Sequence, residues 1–220
     1  MAIKNIFVCG DSFCSADRNL PGTHFSEILT TLGYNVTNFA RGGITNTAIC
    51  YQIKRSIELK ADIVIFTSTS SDRLDVPIKK FNPNNGLKNF IYPYESDVST
   101  SNCDVGNLSG SIYSDVIPAL INSRPDLPVK ILNENQISAI KQYVAYLHSN
   151  ELKQETENWM IEYWKTKTVN LHLNNFHVGK ILFDYVKNNP NKVNQSVYHT
   201  NLETQKKVAK EIKKLLDNNF

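Results

Sequence analysis

The sequence predicts an α/β fold, a central parallel sheet with helices packed against it. Two unbroken apolar runs, 3–9 (IKNIFVC) and 61–68 (ADIVIFTS), suit strands buried on both faces. Two helical periodicities and one alternating run lie between them, giving strand, helix, strand, helix, strand in under 70 residues. With 220 residues and 41% hydrophobic content, the chain suits one domain, 1–220, with a substantial core.

Each element has its own signal. Residues 24–33 (HFSEILTTLG) place Phe25, Ile28, Leu29 and Leu32 at helical spacing and stop at Gly33. Residues 34–40 (YNVTNFA) alternate as a second strand. Residues 44–60 (ITNTAICYQIKRSIELK) set Ile44, Ala48, Tyr51, Ile53 and Ile57 largely on one side of a longer helix. From about Leu74 to Ser111 the chain is rich in Pro, Asn, Ser, Gly and Tyr, which predicts an irregular excursion usable as a lid or binding segment. Short strands within it are the alternative. Residues 112–123 and 134–150 have helical periodicity, and 156–178 are expected to continue helically. Residues 180–186 (KILFDYV) read as another core strand. Residues 202–218 form an amphipathic helix with Val208, Ile212, Leu215 and Leu216 inward.

Composition removes several function classes. A net charge of +3 with dispersed lysines does not suit nucleic-acid binding, and the KKVAKEIKK cluster reads as a solvated helix face. The first apolar run is too short for a signal peptide, and no stretch approaches the ~18–20 apolar residues of a membrane span. A cytoplasmic, membrane-independent protein is therefore expected. Cys9, Cys14, Cys50 and Cys103 show no CxxC spacing, so reduced thiols are expected, with neither metal nor organic cofactor. Cys14 reads as a packing residue, with oxidation sensitivity the alternative.

Chemistry-bearing residues gather where parallel strands end. Gly10-Asp11-Ser12 follows the first strand, Gly42-Gly43 the second, and Thr69-Ser70-Ser71-Asp72-Arg73 the third. His199 precedes the final helix. These four stretches, VCGDSFCSA, NFARGGITN, VIFTSTSSDR and YHTNLETQKKVA, resemble the four blocks of the SGNH (GDSL-type) hydrolases. The resemblance covers nearly the whole chain. It implies a three-layer α/β/α sandwich of flavodoxin-like architecture, Ser12 as nucleophile, His199 as base and Gly43 as an oxyanion donor. Two positions depart from the family pattern: Ser71 stands where the third block carries asparagine, and Ser196 where the last block carries aspartate. The third stretch is also similar to a Thr-Ser-x-Asp-Arg variant met in phage and environmental genomes.

The chemistry needs these residue types. A serine hydroxyl is a weak nucleophile and requires a base such as His199. The tetrahedral oxyanion requires fixed donors, for which the Ser12 and Gly43 amides and the Ser71 hydroxyl are candidates. Ser71 reaches less far than asparagine, and losing one such donor costs about 10²–10³ in turnover. Without the aspartate, the Ser196 hydroxyl or a backbone carbonyl would orient His199, giving a dyad. Structural alternatives stand beside each role. Ser12 also suits a helix N-cap, Gly42-Gly43 a tight turn, and His199 a surface cap. Asp11 is expected to brace its turn. Asp72 and Arg73 suit an ion pair or cap shaping the third loop, with Arg73 on substrate the sharper option. His24 is a candidate pocket residue, while His148, His172 and His177 read as structural or solvent-facing. The expected activity is hydrolysis of a carboxylic ester, such as a small O-acyl group on a carbohydrate, over which Phe81, Phe90, Tyr92 and Tyr94 could stack. The competing function is a catalytically impaired ligand- or protein-binding module on the same scaffold. A phosphate or nucleotide binder ranks last, because GxGxxG and GKS are both missing.

Overall fold

The computed structural model describes residues 4–16, 20–42, 44–78, 91–92, 106–111, 134–167, 171–172 and 202–219. The expected strand at 180–186, the expected helix at 112–123, Cys103 and His177 lie outside them.

A parallel sheet forms the centre. Its strands are β1 (Asn5–Cys9), β2 (Asn35–Asn38), β3 (Ile63–Phe66) and the two-residue β7 (Leu171–His172), in the order β2-β1-β3-β7. In β1 every residue after Asn5 is buried, and all four residues of β3 are buried. The period-2 geometry of a strand sorts them to opposite faces. Ile6, Val8, Ile63 and Ile65 join one core cluster; Phe7, Cys9, Val64 and Phe66 join the other. Pairing runs in step, from Ile6 opposite Ile63 to Cys9 opposite Phe66. That double-sided burial explains the unbroken apolar runs.

Helices cover both faces. Helix α1 (Phe25–Thr31) and the terminal helix α5 (Leu202–Asn219) pack on the first cluster through Phe25, Leu29, Val208, Ala209, Ile212 and Leu216. Helix α2 (Asn46–Glu58) packs on the second through Ala48, Ile49 and Ile53, and α4 (Asn150–Lys167) adds Ile161 and Trp164. Each fully buried aliphatic or aromatic side chain here contributes roughly 1.5–3 kcal/mol. Leu215, expected inward, is exposed; Ala209 takes the inner position beside Val208.

Two other expectations, on the helices after residue 111, are corrected, while the segment 74–111 carries the short strands given as its alternative: β4 (Arg73–Ile78) runs antiparallel to β6 (Gly106–Ser111), and β5 (Ile91–Tyr92) pairs with β6 on its other side. In the sequence Leu74, Val76 and Ile78 recur with the strand period, and Pro77 is tolerated because β4 is an edge strand among the described residues. The helical run at 134–150 divides into α3 (Glu134–Tyr146) and α4, since the Ser149 hydroxyl accepts from Leu152 N–H (3.2 Å) and starts a new helix. Helix α4 ends at Lys167, and the segment expected to continue it contributes β7, with His172 opposite Phe66.

His24 is fully buried, so it lines no open pocket. It caps α1 instead. Its Nδ1 accepts from Ser26 N–H (3.3 Å), Glu27 Oε2 accepts from His24 N–H (3.1 Å), and Nε2 faces the Phe13 carbonyl (3.4 Å). Nearby, Phe25 N–H donates to Gln205 Oε1 (2.8 Å), tying the start of α1 to α5.

Burial lowers the His24 pKa to about 4. The unfolded chain therefore takes up this proton as pH falls below about 6.5, while the folded protein resists until about 4. Stability is complete above the unfolded value and is lost on acidification, by on the order of 3 kcal/mol at full extent. Urea unfolding between pH 7 and 4 should show this slope, and His24→Asn, which retains a capping side chain, should flatten it. Equal slopes in both proteins would refute the assignment.

Candidate active site

The strand order places a topological switch point between β1 and β3, where connections leave in opposite directions. Crevices at the carboxyl ends of such strands are where this architecture binds ligands. The Ser12 turn follows β1 and the Thr69–Arg73 loop follows β3, so both border that point.

Gly10 makes the turn. Its φ of +150° is rarely open to residues with a side chain, and a Cβ there would lie 2.4 Å from Thr67 Oγ1 and 2.9 Å from Cys14 Cβ. Its N–H donates to Gln52 Oε1 (2.7 Å) in the buried interior of α2. Asp11, only 1% exposed, braces the turn as expected: Oδ1 accepts from Phe13 N–H (3.1 Å) and Oδ2 from the Thr69 hydroxyl (2.8 Å). Ser12 lies between Asp11 and Phe13, itself 9% exposed. Gly42 lies against it, since a Cβ on Gly42 would be 3.7 Å from Ser12 Cβ. Arg41 N–H donates to the Gly10 carbonyl (3.0 Å), fastening the second loop to the first.

The third loop is held from two sides. Thr69 Oγ1 accepts from Arg73 Nε (2.9 Å) while donating to Asp11. Arg73 thus braces the third loop from the start of β4 through the Thr69 hydroxyl. Ser71 is 8% exposed and Asp72 half-buried in the turn between. Gly43, Ser196 and His199 lie outside the described residues.

Asn46 and Glu157 were not singled out by sequence reasoning. Asn46 grips Thr69 at both backbone atoms: Oδ1 accepts from Thr69 N–H (2.8 Å) and Nδ2 donates to the Thr69 carbonyl (2.9 Å). The same Nδ2 donates to Glu157 Oε2 (2.8 Å), which projects from α4. Both amide hydrogens are thereby engaged, so Asn46 does not replace the asparagine missing from the third loop. Glu157 is 2% exposed, with Lys153 Nζ at 3.7 Å from Oε1. Burial pushes its carboxyl above the usual range, opposed by the Asn46 bond and the Lys153 charge. The available signal was an acid on the inward stripe of α4, four residues before Ile161 and seven before Trp164. Thr45 ties the second sheet to this region: it caps α2 by accepting from Ala48 N–H (3.2 Å) and donates its hydroxyl to Asp75 of β4 (2.8 and 2.9 Å).

Cys14 is fully buried with Sγ 3.3 Å from Thr67 Oγ1, and burial holds its thiol well above the ordinary value. It is the packing residue of the two alternatives. Cys9 and Cys50, also buried, are raised to about 12. Among the described residues, no group of His, Cys, Asp and Glu is placed to hold a metal ion, and no helix is long and apolar enough to cross a membrane. Comparison with protein-family models, curated proteins and solved structures returns no match.

Gly10→Ala should lower unfolding stability by about 3 kcal/mol or more, because a forbidden backbone angle combines with a clash against Thr67. Thr69→Val, which strips one donor from a buried carboxylate, should cost about 1–3 kcal/mol. Denaturant titration measures both, and a change under about 0.5 kcal/mol in either would contradict the geometry above.

Proposed function

We propose that the chain is a serine esterase or deacylase of the SGNH (GDSL-type) hydrolase class, with a flavodoxin-like α/β/α fold. One observation carries the reading: Ser12 follows a turn that glycine alone accommodates, at the switch-point end of β1, with both neighbours anchored. In the proposed reaction, Ser12 Oγ attacks the ester carbonyl as His199 takes its proton. The Ser12 and Gly43 amides and the Ser71 hydroxyl hold the oxyanion. His199 returns the proton to the departing alcohol, and water then releases the acyl group as the acid. Ser196 or a backbone carbonyl orients the imidazole in place of the missing aspartate. A small O-acyl group on a carbohydrate is the proposed substrate, taken by a protein working in the cytoplasm without cofactor. One observation favours the second reading, a binding module: the Asn46 amide is fully committed elsewhere, so the third donor is a serine hydroxyl.

Hydrolysis of an activated acetyl ester separates the two. Ser12→Ala should reduce the rate by at least about 10³-fold. The wild-type rate should fall on acidification as His199 protonates, and His199→Ala should remove that limb. Wild-type turnover in Ser12→Ala excludes the proposed nucleophile. Absence of both turnover and fluorophosphonate labelling in the intact protein selects the binding module.

A further inference from the structure

The geometry points to Glu157 on α4 as a positioning residue for the Ser12 turn, acting through Asn46 and Thr69. Four observations converge on this role. A carboxylate 2% exposed is costly, and an apolar residue would serve packing better on a stripe shared with Ile161 and Trp164. Glu157 Oε2 accepts one Asn46 Nδ2 hydrogen while the Thr69 carbonyl accepts from the same nitrogen, so the Asn46 amide plane cannot flip without losing both. That fixed amide holds Thr69 at N–H and carbonyl together, a two-point grip that sets where its hydroxyl points. The hydroxyl meets Asp11 Oδ2, and Asp11 Oδ1 holds the Phe13 amide on the far side of Ser12. Each link is a hydrogen bond of 2.8–3.1 Å, and most are buried.

Without the Glu157 acceptor, a buried Nδ2 hydrogen loses its partner, and the Asn46 side chain loses the anchor that holds it square to Thr69. The two-point grip on Thr69 loosens, and the placement of the Thr69 hydroxyl against Asp11 loosens with it. The effect on Ser12 is therefore one of aim, with no contact between Glu157 and substrate required.

The test compares Glu157→Leu, which keeps bulk without an acceptor, with Glu157→Gln, which restores one, and with Asn46→Ala, which cuts the same link from the other side. Amide exchange followed by NMR is read at Thr69 and Phe13 against Val8 and Ile65 in the strands. Glu157→Leu and Asn46→Ala should each raise exchange at Thr69 and Phe13 by about 10-fold or more relative to the strands, with Glu157→Gln within about 3-fold of wild type. Fluorophosphonate labelling of Ser12, the arm that rests on the hydrolase reading, should slow by about 10-fold in the Leu variant and recover in the Gln variant. Unchanged exchange in Leu and Ala variants, Gln behaving as Leu, or undiminished labelling of a reactive Ser12 in the Leu variant each overturns the inference. The exchange pattern in a protein whose wild-type Ser12 does not label supports the positioning role and rejects the hydrolase reading alone.

Discussion

The hydrogen bond from the Thr69 hydroxyl to Asp11 Oδ2 joins the ends of the two central strands, and the rim of the sheet is organised around it. Asp11 is almost wholly withdrawn from water, where a carboxyl group needs hydrogen-bond partners on its oxygens. A local donor is the Phe13 amide, and another comes from the neighbouring strand's loop. Strand register makes this meeting unavoidable. Cys9 lies opposite Phe66, so two further residues on β1 and three on β3 bring Asp11 and Thr69 together. Gly10 lets the first chain turn there, and its lack of a Cβ leaves space for Thr67 and Cys14.

Thr69 then distributes the constraint. Its backbone is gripped by Asn46 at the start of α2, its hydroxyl also accepts from Arg73 at the start of β4, and Asn46 leans on Glu157 from α4. Two helices from one face of the sheet, two central strands and the antiparallel ribbon thus converge on one loop. The Thr45–Asp75 bond adds a second tie between α2 and β4. Such a buried polar network in a low-dielectric setting specifies geometry more than it adds net stability. A hydroxyl aimed at an incoming carbonyl needs that kind of fixed placement.

Much of the scaffold was legible because its elements bury simple patterns. β1 and β3 are apolar on both faces, so no partner information was needed to recognise them. α5 showed its stripe through Val208, Ile212 and Leu216, while Leu215 misled because it adjoins Leu216 at the stripe's edge. The boundary between α4 and β7 was hidden, since tryptophan, tyrosine and leucine suit either element. β4 and β6 were obscured by Pro77 and by the Gly-Ser composition of residues 106–111, although Leu74, Val76 and Ile78 alternate. At the rim, the Ser12, Gly42 and Thr69 neighbourhoods could be foreseen because strand ends in this architecture are fixed by topology. The partnership of Asn46 with Glu157 could not. It depends on α4 crossing α2, a tertiary fact with no local trace beyond one acid on an inward stripe. His24 shows a different limit: a histidine near a loop suggested a pocket, whereas its role is local, capping α1 together with Glu27 three residues on.

The central claim is that Ser12 forms and breaks a bond to substrate at the edge of β1. Its most direct test is to incubate the intact protein with an activated acetyl ester, quench with acid during turnover and map the acylated peptide by mass. Acetyl mass on Ser12 Oγ, accumulating in burst and lost with time, is the predicted result. Turnover with the acyl group on another residue, or with residue 12 never modified, would contradict it.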